Sequence, residues 1–196
     1  MKDMHVILAS GSPRRRALLD MVGISYEVCI PDIEENTDKT DPAEIVKDLS
    51  LQKALSVAPK YPEQAVLAAD TIVEIDGRIL GKPETEDDAF SMLKMLSGRT
   101  HSVYTGVTLI FPDGSRDSFY SETRVTMFDN SDDLIRDYIS TGEPMDKAGA
   151  YGIQGAGAFL IKKVDGDYGT VVGLSFSQKT NETNLYIKVV SFVFAN

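Results

Sequence analysis

The chain has 196 residues, a formal net charge of −10, and a composition of 42% hydrophobic and 26% charged residues, ordinary for a globular protein able to bury a core. The acidic balance argues against sequence-independent binding to DNA or RNA, which needs a broad basic face, but leaves room for a small anion in a local basic pocket. One cysteine, Cys29, excludes an internal disulfide and suits a reducing, cytoplasmic setting, and neither a secretory signal nor an 18-residue apolar span is read.

In chain order, "HVILAS" (5–10) reads as a short buried strand. "PRRRALLDMVG" (13–23) reads as a helix with proline at its first position, Ser12 as N-cap and Gly23 as stop. "SYEVCI" (25–30) alternates like a strand and 31–40 is a polar loop. Asp41-Pro42-Ala43-Glu44 resembles a capping box that opens a helix to about Ala58. "QAVLAAD" (64–70) is a second buried strand, with Asp70 at its carboxyl end, and Asp76-Gly77 marks a hairpin turn beyond it. A capped helix over 85–98 comes next. A long hairpin then folds around "PDG" (112–114), and a short capped helix covers 131–142. From 148 onward a glycine-rich stretch leads into two strand runs around "DGD". No repeat or separating linker breaks the chain. The predicted fold is α/β: a mixed central sheet with flanking helices, as a single domain over 1–196 with two lobes around a cleft.

The chemistry-bearing residues are few. "SGSPRRR" (10–16) runs from a strand through a tight turn into a helix, where backbone N–H groups and the helix dipole favour anions. Ser10 and Ser12 offer hydroxyls there, and Arg14 and Arg15 offer planar forks suited to phosphate oxygens. The alternative is a capped helix start with solvated arginines. Lys53 falls on the apolar stripe Val46, Leu49, Lys53, Val57, so it either snorkels to water or aims a charge into a cleft. Asp70 is placed where α/β sheets keep their ligand crevices, or else caps a turn. Lys82 precedes Pro83 and is held extended; Glu34 and Glu35 sit in the polar loop. Gln154 lies among the glycines of "AGAYGIQGAG" (148–157), in a tight turn or in a loop lying flat on a planar ligand. With only His5, His101 and one cysteine, a zinc cluster is implausible; carboxylates beside arginines and lysines point to Mg²⁺ or Mn²⁺ and phosphate chemistry.

Together "LASGSPRR", "AADT", "GKP", "LSGRTHSV", "EPMDKAGAYGIQG" and "DGDY…VVGL" resemble the Maf family of nucleotide pyrophosphatases over about residues 5–174. The resemblance is nearest to the branch acting on dTTP and UTP, where Arg14, Thr71 and Gln154 match positions tied to substrate choice. It implies a cytoplasmic homodimer with a Maf/inosine-triphosphatase-like fold. It also implies a divalent metal (Mg²⁺ or Mn²⁺), a nucleoside triphosphate substrate, and a monophosphate and pyrophosphate as products. It does not imply a nucleic acid polymer or a membrane as partner. Ser10, Ser12, Arg14, Arg15, Lys53 and Lys82 would hold phosphates. Asp70 would accept the proton of the attacking water and bind metal. Glu35, with Glu34 as the competing register, would complete the metal site. The alternatives are a nucleotide-binding regulator without turnover and a phosphatase that removes the terminal phosphate. The chain departs from the family after Gly173-Leu174, where Ser175 replaces a proline, and the apolar run "LYIKVVSFVF" makes 175–196 an atypical tail.

Overall fold

Apolar, largely β-branched runs flanked by turn residues become strands, and runs opened by a capping side chain become helices. A computed structural model describes residues 5–176. In chain order these hold β1 (His5–Leu8), α1 (Pro13–Met21), β2 (Ser25–Val28), α2 (Pro42–Val57), β3 (Ala65–Ile75), β4 (Arg78–Leu80), α3 (Glu86–Leu96), β5 (Thr100–Ile110), β6 (Arg116–Met127), α4 (Asp132–Ser140), β7 (Ile161–Asp165) and α5 (Tyr168–Val172). The sheet is mixed, in the order β2-β1-β3-β5-β6-β7 with β4 on β3. The described chain falls into two units: one with the residues up to Asp70, Thr105–Ser121 and those from Gly173, the other with Thr71–Tyr104 and Glu122–Val172.

In the first unit β1 pairs in parallel with β2 (Val6 opposite Tyr26) and with β3 (Ile7 opposite Val66). The start of α2 is set by Asp41, whose Oδ1 accepts from the N–H groups of Ala43 (2.9 Å) and Glu44 (3.2 Å). The helix then buries Ile45, Val46, Ala54 and Val57, and a core of Ile7, Ala9, Val66, Ala68 and Ile110 forms with the last two of these. Its approach to the sheet is close: a Cβ on Gly106 of β5 would stand 2.2 Å from the Val46 carbonyl oxygen. Hydroxyls bridge the same interface, Ser50 to Thr108 at 2.9 Å and Thr108 to Ser118 at 2.8 Å.

The second unit pairs β3 with β4 antiparallel (Val73 opposite Leu80) and β6 with β7 antiparallel (Val125 opposite Val164). Helices α3 and α4 are capped by Thr85 and Ser131 and pack on each other. Their apolar faces meet Val73, Val103, Val125, Met127 and Leu160 in one core. Three 3₁₀ turns follow α4, at Glu143–Asp146, Ala148–Ala150 and Gly155–Leu160.

Several expectations are corrected. The strand expected to end at Asp70 runs on to Ile75, because "TIVEI" keeps the chain extended, so Asp70 lies mid-strand. The second strand run near the end is instead the short helix α5: Asp167 Oδ2 accepts from Thr170 N at 2.9 Å and bends the chain into a turn. Ser12 stands at the N-cap of α1, but its side chain makes no cap hydrogen bond. The run "LYIKVVSFVF" lies outside the described residues. Among the described residues no helix is long and apolar enough to cross a membrane.

Candidate active site

The first unit gathers five of the residues singled out from the sequence. Lys53, on the buried face of α2, reaches both acids: its Nζ lies 2.9 Å from Glu35 Oε2 and donates to Asp70 Oδ1. Lys53 and Asp70 are 9% and 8% exposed, so the ammonium does not snorkel into water; its charge is matched to carboxylates inside the unit. Between the neighbouring acids of the polar loop, Glu35 carries this ion pair.

Arg15 joins the cluster from α1. Its Nε donates to the Gly173 carbonyl at 2.8 Å and its Nη1 to Ser10 Oγ at 2.9 Å. Burial pulls the guanidinium below its usual pKa, Asp70 opposes that pull, Arg14 adds to it, and Glu35 again opposes it. Arg15 is thus tied electrostatically to Asp70 and Glu35, with Arg14 near enough to oppose its charge. Ser10 is buried, and its oxygen also accepts the Ser12 N–H at 3.2 Å. With the oxygen accepting twice, the hydroxyl proton is the part left to offer an anion. Arg14 and Ser12 are half-buried.

The remaining residues belong to the second unit. Thr71 follows Asp70 along β3, so its side chain leaves the opposite face of the strand. Lys82 is exposed in the extended segment before Pro83. Gln154 is half-buried and its Nε2 donates to Tyr168 Oη at 3.3 Å. Sequence reasoning gave no role to Glu143, the first residue of "EPMDKAGAYGIQG", whose carboxylate binds backbone N–H groups beside Gln154; main-chain partners cannot be read from side-chain types. Buried in the same unit, His101 Nε2 and Tyr151 Oη lie 2.6 Å apart.

The donor set can be tested against a divalent cation. Glu35 and Asp70 already converge on a single positive charge, the Lys53 ammonium, so oxygens of both are within reach of one cation. Among the described residues no group of three or more metal-ligating side chains is placed together. Two hard carboxylates suit Mg²⁺ or Mn²⁺, which keep waters and substrate phosphates in their shell, and do not suit a structural zinc. The residues fit.

A family model described as Maf-like protein matches residues 5–183 of the chain. The chain is 49% identical over 177 residues to the dTTP/UTP pyrophosphatase of Nitratidesulfovibrio vulgaris, covering 89% of this chain and 84% of that protein. It is 47% identical over 178 residues to the dTTP/UTP pyrophosphatase of a Bacillus cereus strain, covering 90% and 93%. For the protein of the same description from a Thermoanaerobacter species the values are 49% over 177 residues, 89% and 93%. Among solved structures, the Staphylococcus aureus Ham1 protein is similar over 97% of this chain and 98% of its own, with a TM-score of 0.53. At 16% identity that likeness concerns the fold alone.

Proposed function

The chain belongs to the Maf-like protein family, and from that premise we propose that it hydrolyses dTTP and UTP to the nucleoside monophosphate and pyrophosphate. The observation that carries the reading is the convergence of Glu35, Lys53, Asp70 and Arg15, from four separate segments, on one charged site. A bare nucleotide binder has no need of a base to take a proton from water.

In this reading a water attacks the α-phosphorus. Asp70 takes the water's proton as the new P–O bond forms, and the bridging oxygen leaves with pyrophosphate as the α–β bond breaks. Arg15, Arg14 and Lys53 supply positive charge as negative charge builds on the leaving group, and Ser10 donates its hydroxyl to a phosphate oxygen. Glu35 and Asp70 would hold Mg²⁺ or Mn²⁺, which when bound neutralises phosphate charge and favours the hydroxide form of water. Ser12, Lys82 and Thr71 keep the roles implied by the resemblance: phosphate binding for the first two, substrate choice for the third. The Gln154 amide, with a donor and an acceptor, suits the imide edge of uracil or thymine. A cytoplasmic setting and a homodimer belong to the same proposal; Cys29, free and half-buried, supports the first.

The test is pyrophosphate release from dTTP and UTP with Mg²⁺ or Mn²⁺. Asp70→Asn is expected to lower kcat by about 10³-fold or more, as loss of a base and of anionic charge together, with the circular dichroism spectrum unchanged. Full activity in that variant removes Asp70 from the mechanism. Orthophosphate as the product, or nucleotide binding without turnover in the wild type, overturns the assignment.

A further inference from the structure

Gln154 stands where a helix cap should be. It precedes the 3₁₀ turn Gly155–Leu160 with φ −94° and ψ 155°, the extended backbone of an N-cap, yet its side chain makes no cap hydrogen bond. The first N–H groups of such a turn need acceptors, and burial makes an orphan costly. They find one in Glu143, on the preceding 3₁₀ turn. Its Oε2 accepts from Ala156 N at 2.9 Å and its Oε1 from Gly157 N at 3.2 Å.

The carboxylate is itself fixed. Tyr138 Oη donates to Oε1 at 3.0 Å, and Lys147 Nζ donates to the Glu143 carbonyl at 2.5 Å. The backbone closes around it without room for side chains: a Cβ on Gly155, at φ +70°, would lie 2.6 Å from Glu143 Oε2, and one on Gly157 would lie 2.3 Å from the Gly152 carbonyl oxygen. A charged acceptor wins over a neutral amide in competition for the same N–H groups. The amide of Gln154 is thus kept from capping its own turn and points to Tyr168 instead.

We propose that Glu143 is a positioning residue for base selection: it caps the turn from outside and so holds the Gln154 carboxamide ready for one edge pattern. This rests on the reading of Gln154 as the base contact. Uracil and thymine present an acceptor and a donor where cytosine presents the reverse, so a held amide favours one and an amide free to turn over accepts both.

The experiment compares kcat/KM for UTP and CTP in the wild type, Glu143→Gln, Gln154→Ala and the double variant. Glu143→Gln keeps one oxygen for one N–H group but turns an amide NH₂ toward the other. The UTP-to-CTP ratio is expected to fall by about tenfold, the scale on which one missing contact changes discrimination. Most of the fall should be in KM for UTP, with kcat changed by less than about threefold. In the Gln154→Ala background the same change adds nothing, because one acts through the other. Equal losses on both nucleotides, an unchanged ratio, or additive losses in the double variant overturn the inference. So does a wild type that takes UTP and CTP alike. A wild type inactive on every triphosphate overturns the underlying reading instead. Should Glu143→Gln not fold, Tyr138→Phe removes one bond from the carboxylate and must shift the ratio the same way; no shift sinks the inference.

Discussion

Lys53 answers two acids with one positive charge, and that imbalance predicts its behaviour. Its ammonium is the group that keeps Glu35 and Asp70 near each other, with side-chain exposures of 11% for the lysine, 12% for Asp70 and 43% for Glu35. Lys53→Met keeps the stem packed but leaves the buried aspartate without its hydrogen-bonded cation, facing a second carboxylate with Arg15 as the remaining neighbouring charge. The variant is expected to lose about 2–3 kcal/mol of stability, the lower end for a broken buried pair because Glu35 is partly solvated. A divalent cation should then take over the lysine's duty. Adding Mn²⁺ is expected to raise the melting temperature of Lys53→Met by more than it raises that of the wild type, since at one ion concentration tighter binding adds more stability, growing with the logarithm of affinity. Calorimetric scans with and without the ion check this. An equal shift in both proteins would show that the two carboxylates do not share one cation. Pyrophosphate release should fall in the variant whatever the metal concentration, because a charge proposed to bind phosphate is gone.

At the scale of elements, the site depends on how near α2 lies to the sheet. The helix presents Val46 and Ser50 to β5, and the facing residues are Gly106 and Thr108, so small groups and hydroxyls line the contact. That proximity lets a lysine side chain from α2 reach Asp70 on β3. Gly106→Ala places a methyl group 2.2 Å from the Val46 carbonyl oxygen and 2.3 Å from its carbon, both rigid backbone atoms. The helix must move, at a cost of about 1–3 kcal/mol for overpacking, and Lys53 moves with it. A melting temperature lower by several degrees and reduced turnover are expected together from thermal scans and pyrophosphate assays. An unchanged melting temperature would mean that α2 and β5 do not meet this closely.

The same elements show what a sequence reveals. Lys53 is visible because a charge on an apolar stripe breaks the pattern, and Asp70 because it interrupts an apolar run. Which of Glu34 and Glu35 pairs with Lys53 is not visible, since an irregular loop has no period to assign a face. Asp70's position in mid-strand is hidden by the polar Thr71 next to it, although Ile72, Val73 and Ile75 prolong the strand. The cap made by Asp167 turns a valine-rich run into α5, a tertiary choice overriding strand propensity. Glu143 stands in a quoted motif, but its role is hidden, because its partners beyond Tyr138 are main-chain groups.

For the whole molecule, acid is the condition that tests the packing. His101 is 3% exposed; its Nε2 meets Tyr151 Oη, and its Nδ1 has no hydrogen-bond partner among the described residues. Burial holds its imidazole down to about 4, against an ordinary value of 6.5. Above pH 6.5 the ring is neutral in the folded and unfolded chain alike, and it adds no pH dependence. Between about 6.5 and about 4 the unfolded chain takes up a proton that the folded chain refuses, so stability falls as pH falls. Below about 4 both forms are protonated and the loss is complete, on the order of 3 kcal/mol from this one residue. Carboxylates titrate over the same range, so the contribution must be isolated as a difference. His101→Gln keeps a polar atom near Tyr151 and cannot protonate. In urea titrations it is expected to be the less stable protein at pH 7, through imperfect packing, and to gain about 3 kcal/mol on the wild type by pH 4. A difference that stays constant across that interval would show that the imidazole protonates as easily in the fold as in water.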